Sequence, residues 1–223
     1  MEQFLSICLD PLEPPSRPLE TIVIAATTAQ QRILDAAVDV FAEQGYGGTS
    51  TRDIAVRAGR SPAAVYVHYP SKEDLLFAIS VQGHTEALAA LQAAYDDHSD
   101  PVARLHRMID AFCQWHLGHT RIGRVVQYEL NALSPEHRTV IVALRRDFHR
   151  LMTSALDAGV RHGVFEVEDV DRTAHALLSL GVDLVRWFDP DLDSEPTRIA
   201  HLNADLAVRM VRRIPVPSQE DSP

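Results

Sequence analysis

The sequence predicts an all-α protein in which a small three-helix N-terminal unit precedes a larger helical body, about nine helices in total. Three observations carry that prediction. Apolar residues recur at three- and four-residue spacing through every long segment. No stretch of any length alternates as a strand would, and no repeat of solenoid period is present. Three helix-start signals, Ser50-x-x-Asp53, Ser61-Pro62 and Ser71-x-x-Asp74, follow one another within residues 50–74.

Composition bounds the function. The 223 residues suffice for one large domain or a small one and a larger one, and the formal net charge of -10 excludes a generally basic, non-specific nucleic-acid binder. Any contact with DNA must be local and geometric. The two cysteines, Cys8 and Cys113, have no metal-like or redox spacing, which points to a reducing, cytoplasmic compartment. No apolar run approaches the roughly 20 residues of a membrane span, and the acidic, proline-broken N-terminus is unlike a signal peptide. No nucleophile elbow, phosphate loop or HExxH sequence is present, so an enzyme is not expected, nor a cofactor.

Residues 1–26 contain Pro11, Pro14, Pro15 and Pro18 without a sustained period and read as a flexible arm. The short patch Ile22-Val23-Ile24 could instead lengthen the first helix. Residues 27–75 form the N-terminal unit. Thr28-x-x-Gln31 has the form of a capping box, and Ile33, Leu34, Ala37, Val38 and Phe41 give the first helix one apolar face as far as Gly45. A second helix runs from about Thr51 to Ala58, with Ile54 and Ala55 inward. Ser61 caps a third, with Pro62 at its first position, and Pro70 ends it. Ser71 opens a fourth helix that runs to about Tyr95.

The body, residues 76–214, continues in helices. Asp100-Pro101 starts one that ends near Gly118, and a shorter one spans Arg121 to Leu133. Ser134-Pro135-Glu136 caps a long helix to about His162, which Gly163 closes. Asp169 to Phe188 and Thr197 to Arg213 are the last two, and residues 215–223 read as a disordered tail.

The sequence Ile33-Leu34-Asp35-Ala36-Ala37, Phe41-Ala42-Glu43-Gln44-Gly45-Tyr46, Thr49-Ser50-Thr51-Arg52-Asp53-Ile54-Ala55, Ala58-Gly59 and Val65-Tyr66, followed by Ser71-Lys72-Glu73-Asp74-Leu75-Leu76, resembles the DNA-binding domain of the TetR family of transcriptional regulators. The resemblance covers residues 28–76 by sequence; the remainder matches only in helical layout. It implies a helix-turn-helix whose second helix, carrying Ser61, Pro62, Ala63, Ala64, Tyr66 and Val67, enters the major groove of double-stranded operator DNA. By family position Thr51, His68 and Lys72 resemble phosphate contacts and Arg52 a base reader, with Ser50 and Arg60 beside them. Two positions depart from the pattern: Arg60 stands where an apolar residue is usual, and Pro62 where a long polar one is common. A structural or solvated role is the competing reading for each of these side chains. Residues 27–75 hold five basic residues (Arg32, Arg52, Arg57, Arg60, Lys72) and six acidic ones (Asp35, Asp39, Glu43, Asp53, Glu73, Asp74), giving 5 − 6 = −1. Tight binding then calls for a homodimer on a near-palindromic operator.

The resemblance also implies a dimer interface on the last two helices, assigned to Ala174, Leu177, Leu178, Gly181 and Leu184 on one and Leu202, Leu206 and Met210 on the other. A ligand cavity is expected among Phe112, Trp115, His116, Tyr128, Glu129, Phe148 and Met152. Arg186-Trp187-Phe188 together with Tyr128-Glu129 is similar to acyl-CoA-responsive members of the family, which adds Arg186 and Trp187 to the expected pocket. The implied function is a repressor released by a small molecule such as an acyl-CoA thioester. A metal-responsive regulator using His116 and His119 is the alternative, although no third ligand is assignable and no metal site is expected.

Overall fold

The computed structural model describes residues 28–96, 100–192 and 195–213. The expected flexible arm, including Cys8 and the Ile22–Ile24 patch, and the expected tail lie outside the described residues. The nine expected helices are all present, the eighth of them broken. In chain order they are α1 (Thr28–Gly48), α2 (Thr51–Arg57), α3 (Pro62–His68), α4 (Lys72–Asp96), α5 (Pro101–Gly118), α6 (Thr120–Tyr128), α7 (Pro135–Arg161), α8 (Val170–Val182), α9 (Leu184–Trp187) and α10 (Pro196–Val211). An isolated antiparallel bridge between Phe165 and Arg212 is the one extended pairing among the described residues.

The local signals account for most boundaries. Ser50 and Asp53 form a complete capping box, Ser61 accepts from Ala64 N–H ahead of Pro62, and Ser71 accepts from Asp74 N–H at the start of α4. Gly45 (φ 72°) interrupts the regular geometry of α1 where a stop was expected, because a left-handed residue there carries no Cβ to clash.

Three expectations are corrected. Thr28 is the first described residue of α1, and Gln31 donates to Asp35 Oδ1 at 2.9 Å instead of closing a box with Thr28. The helix expected over Arg121–Leu133 ends at Tyr128 and gives way to a 3-10 turn, Leu130–Ala132. The helix expected over Asp169–Phe188 breaks at Asp183, whose N–H bonds back to Ser179 while a new short turn begins at Leu184.

Two apolar clusters make the core. The first joins α1, α2 and α3 (Ile33, Phe41, Ile54, Val65, Tyr69) to the start of α4 (Leu75, Leu76, Ile79) and continues into α6 and α7 through Val125, Ile141 and Leu144. The second fills the body between α5, α7, α8 and α10 and takes in Ala87 and Leu91 from the far half of α4. α4 therefore crosses from one core to the other. The three-helix unit is seated on α6 and α7 as well as on its own core, so the packing is continuous across the expected 75/76 boundary.

Candidate functional site

The N-terminal unit displays one face of α3. Val65 is fully buried and Tyr69 nearly so, which anchors the helix and turns Pro62, Ala63, Tyr66 and Val67 outward. Tyr66 is half-exposed and Val67 is 79% exposed. Val56 on α2, which the sequence reading left out, is 75% exposed, because it lies on the side of α2 opposite Ile54 and Ala55. Burial normally claims such side chains, and an open patch of valine and tyrosine on a helix-turn-helix is suited to thymine methyl groups.

The residues around this face differ in how far they are already engaged. Arg52 and Arg60 are exposed; Ser50 and Ser61 are exposed but cap α2 and α3; Thr51, Ala64 and His68 are part-buried. Asp53 is committed to the cap, and its carboxyl is held below the usual range by the Ser50 hydroxyl and backbone N–H. Arg57 is committed to Glu43, with both nitrogens engaged at 3.0 and 2.6 Å. Lys72 is the chief surprise. Its ammonium donates to Tyr46 O at 2.7 Å and Thr49 O at 2.8 Å and lies over the Tyr46 ring, 4.1 Å from the centroid. Two of its three N–H groups thus close the end of α1 onto α4, where the family position suggested a phosphate contact.

The body contains a cavity of about 60 Å³, lined by α4 (Gly83, His84, Ala87), α5 (Phe112, Trp115, His116), α6 (Gly123, Val126, Gln127), α7 (Arg145, Phe148, His149), α8 (His175, Leu178, Val182) and Val185 of α9. At roughly 10–15 Å³ per water this is room for a few solvent molecules. Of the expected pocket residues, Phe112, Trp115, His116 and Phe148 line this cavity. Five expected members are elsewhere. Met152 is fully buried in the second core, and Tyr128 and Trp187 are more than half exposed. Arg186 is exposed and paired with Asp183, and Glu129 accepts from Tyr46 N–H at 3.1 Å. Met152, Tyr128 and Glu129 were expected from the mixed aromatic and polar composition of the middle helices, and Arg186 and Trp187 from the subgroup resemblance; Met152 packs into the core from within α7, while the other four lie at the breaks after Tyr128 and at Asp183.

The cavity contains more polar chemistry than the sequence suggested. His84 donates Nδ1–H to Ser80 O at 2.7 Å and accepts from Arg145 Nε at 3.2 Å. Burial, with Arg145 beside it, pushes the His84 pKa down to about 3; burial likewise lowers His116, whose Nδ1–H is held by Phe112 O, to about 4. Both imidazoles are neutral at ordinary pH. His84, His149 and His175 lie on three different helices, so no spacing in the chain could announce them.

α6 joins the two regions. One side lines the cavity. From the same segment Arg121 pairs with Asp39 of α1, and Glu129, one residue past its end, accepts from Tyr46. Arg124 ties α6 to the broken eighth helix by donating to Val185 O at 2.7 Å and Phe188 O at 3.1 Å. A second bridge runs from α4 to α7: Glu73 accepts from Ser134 N–H at 2.8 Å and pairs with His137, whose ring stacks on Phe77 at 3.7 Å.

The expected interface stripe is corrected on α8. Ala174, Leu177, Leu178, Gly181 and Leu184 are buried inside the subunit; a Cβ on Gly181 would lie 2.5 Å from Phe112 Cδ1. The apolar periodicity was correct but faced inward, against α5. On α10 the assignment points outward: Leu202 (54%), Leu206 (41%) and Met210 (56%) are exposed at four-residue spacing. Asn203, donating to Leu180 O at 3.4 Å, brings this face beside the outer side of α8, where Ala176 is exposed and Leu180 half-buried.

For the metal alternative, His116 is buried and His119 is exposed, its Nδ1 bonded to Trp115 O, and the two belong to no three-ligand group among the described residues. Ligand-like groupings occur elsewhere, at His106, His201 and Asp205 and at Glu73, Asp74 and His137, where ion pairs already account for their proximity.

Residues 33–79 match the family model described as bacterial regulatory proteins, tetR family, and residues 98–211 match that of the tetracyclin repressor-like C-terminal domain. The chain is similar to a solved bacterial regulatory protein of the tetR family from Rhodococcus RHA1, 42% identical over 85% of this chain and 100% of that one, with a TM-score of 0.80. It is similar to the HTH-type transcriptional repressor KstR2 of Rhodococcus jostii (strain RHA1), 28% identical over 161 residues, 71% of this chain and 78% of the relative. The structure of AibR in complex with isovaleryl coenzyme A and operator DNA is 26% identical, covering 82% of this chain and 97% of that one, with a TM-score of 0.71.

Proposed function

The chain belongs to the TetR family of bacterial regulatory proteins, and from that premise we propose that it is a cytoplasmic, homodimeric transcriptional repressor released from its operator by a small apolar effector. It acts as a regulator, not a catalyst. The observation that carries the reading is the outward face of α3, held over a buried Val65 and Tyr69 and edged by the exposed Arg52 and Arg60. Pro62, Ala63, Tyr66 and Val67 meet base edges, while Ser50, Thr51, Ser61 and His68 meet the backbone. Lys72 acts mainly by fixing the end of α1. Because the unit carries little net charge, two copies about one helical turn of DNA apart, ~34–36 Å, supply the affinity together.

Pairing uses Leu202, Leu206 and Met210 of α10 with the outer side of α8, joined in a four-helix arrangement across a two-fold axis. The effector occupies the cavity, and α6 and α4 transmit its presence. A cavity this small admits an acyl chain only if its walls part, and α6 forms one wall while it holds α1 through Arg121 and Glu129. An acyl-CoA thioester is the favoured effector class, supported by the isovaleryl coenzyme A bound to AibR.

A shift assay on the DNA upstream of the protein's own gene, with and without acyl-CoA thioesters, tests the reading. Arg52→Ala should keep the dimer and weaken sequence-selective binding by the equivalent of about 1–3 kcal/mol for one base contact. Undiminished selective binding by that variant would remove Arg52 from the base-reading set, and absence of any selective operator complex would remove the function.

A further inference from the structure

Two residues of the cavity lining carry buried polar atoms of opposite kind that have no hydrogen-bond partner in the protein: Trp115 Nε1 and His175 Nε2. The first is always a donor. The second is an acceptor in the neutral ring, because His175 Nδ1–H is taken by Asp171 O at 2.9 Å. Arg145 lines the same cavity, and no carboxylate side chain does. Unmet buried groups of this sort are costly in an empty fold and specify what fills it.

We propose, resting on the effector-binding reading above, that the effector is a hydroxyl-bearing acyl compound. Its carbonyl or carboxylate oxygen accepts from Trp115 Nε1–H in a cavity whose lining includes the Arg145 cation, and its hydroxyl donates to His175 Nε2. The hydrocarbon remainder lies against Phe112, Phe148 and Leu178. A plain saturated chain satisfies the first group and leaves the second unmet, so the cavity discriminates by one hydrogen bond. The acceptor oxygen has two sources, a free acid or a thioester.

The sequence offers a reporter, because it has two tryptophans and Trp187 is outside the cavity. In the full-length Trp187→Phe protein, Trp115 fluorescence is titrated with hexanoic acid, its hydroxylated isomers, and the coenzyme A thioesters of each. At least one hydroxylated isomer should bind about 2–10-fold tighter than the plain chain, the worth of one hydrogen bond. The preference should vanish for the O-methyl ether of that isomer, which cannot donate, and for His175→Phe. Trp115→Phe, followed by calorimetry, should weaken plain and hydroxylated chains by the same factor. Binding of the free acid assigns the acceptor to a carboxylate, and binding of the thioester alone assigns it to a carbonyl with the carrier outside. Equal or weaker binding of every hydroxylated isomer, a preference that survives O-methylation, or no binding of either chain overturns the proposal. The same preparations are assayed for operator binding. Release by plain chains without hydroxyl preference leaves the regulator intact and defeats the inference, whereas failure to bind any operator defeats the regulator while the titration still decides the inference.

Discussion

The three-helix unit and the cavity place their polar chemistry on opposite sides of the chain. In the unit, short helices are capped at their starts, the apolar side chains turn in, and Arg52, Arg60 and Tyr66 face solvent. In the body, His84, His116, Arg145 and His175 turn inward among phenylalanine and leucine, while α10 turns Leu202, Leu206 and Met210 outward. A surface that reads DNA has to be prefabricated and rigid, because base contacts tolerate little displacement. A cavity that senses a ligand has to be incomplete without it. The difference predicts that substitutions in the unit change affinity, substitutions in the cavity change the response, and substitutions along α6 change how one is heard by the other.

The largest expected effect breaks the pairing that the weakly charged unit depends on. Leu206→Glu with Met210→Glu should yield a folded monomer by sedimentation velocity, and operator affinity should fall about 100- to 10,000-fold as avidity is lost. Leu178→Ala, from the stripe first assigned to the interface, should leave the oligomer unchanged and lower folding stability by about 2–5 kcal/mol, because Leu178 is 4% exposed within one subunit. A monomer from Leu178→Ala and a dimer from the double variant would reverse the corrected assignment.

Acid comes next and acts on the body. His84 and His116 titrate in the folded chain near 3 and 4, below the ordinary 6.5. The unfolded chain therefore binds protons that the folded chain refuses, and stability that is full above pH 6.5 is lost as the pH falls toward 4 and then 3. Urea unfolding at pH 7 and pH 5 should differ by roughly 2 kcal/mol for each histidine. The lowered carboxyls of Asp53 and Glu43 lose their contribution at still lower pH, so this interval isolates the imidazoles. A flat profile between pH 5 and 7 would show that the cavity admits the proton and its water.

The same contrast explains what could be read from the chain. Caps, a stop at Gly45 and a proline at the first position of α3 are local events, and residues 28–76 were legible almost residue by residue. The long helices were legible by period. The breaks after Tyr128 and at Asp183 were not, because neither interrupts the apolar pattern; Arg124 reaches across sixty residues to hold the Val185 and Phe188 carbonyls that the second break exposes. Periodicity also could not choose the sense of α8, since a buried stripe and an interface stripe have the same spacing. The engagement of Lys72 was hidden for a related reason. Its partners, Tyr46 O and Thr49 O, are backbone atoms of a turn whose geometry no residue type encodes. The cavity is the extreme case, assembled from six helices with its three unforeseen histidines each on a different one.

A smaller effect tests the unit on its own. Ser50→Ala removes the hydroxyl that caps α2 and lowers the Asp53 pKa, and should cost about 1 kcal/mol of stability with a matching loss of operator affinity. Effector affinity, measured by Trp115 fluorescence, should not change. A change there would mean that the cap is felt across α4 and that the two regions are less separate than their cores suggest.

The smallest effect falls on the link. Glu129 was first counted among the ligand contacts; instead its carboxylate accepts from Tyr46 N–H, and it directly follows a helix that lines the cavity. Glu129→Ala removes that bond and leaves the cavity wall and α3 untouched. Effector affinity for the free protein and operator affinity without effector should both stay within about twofold of the parent. The factor by which effector weakens operator binding should shrink by about two- to fivefold, the worth of one part-buried hydrogen bond. Because coupling between two binding sites is reciprocal, the operator must weaken effector binding by the same reduced factor, so either titration measures it. If both titrations return the parental factor, transmission runs instead through α4 and its Glu73–His137 bridge, and the corresponding loss should appear in His137→Ala.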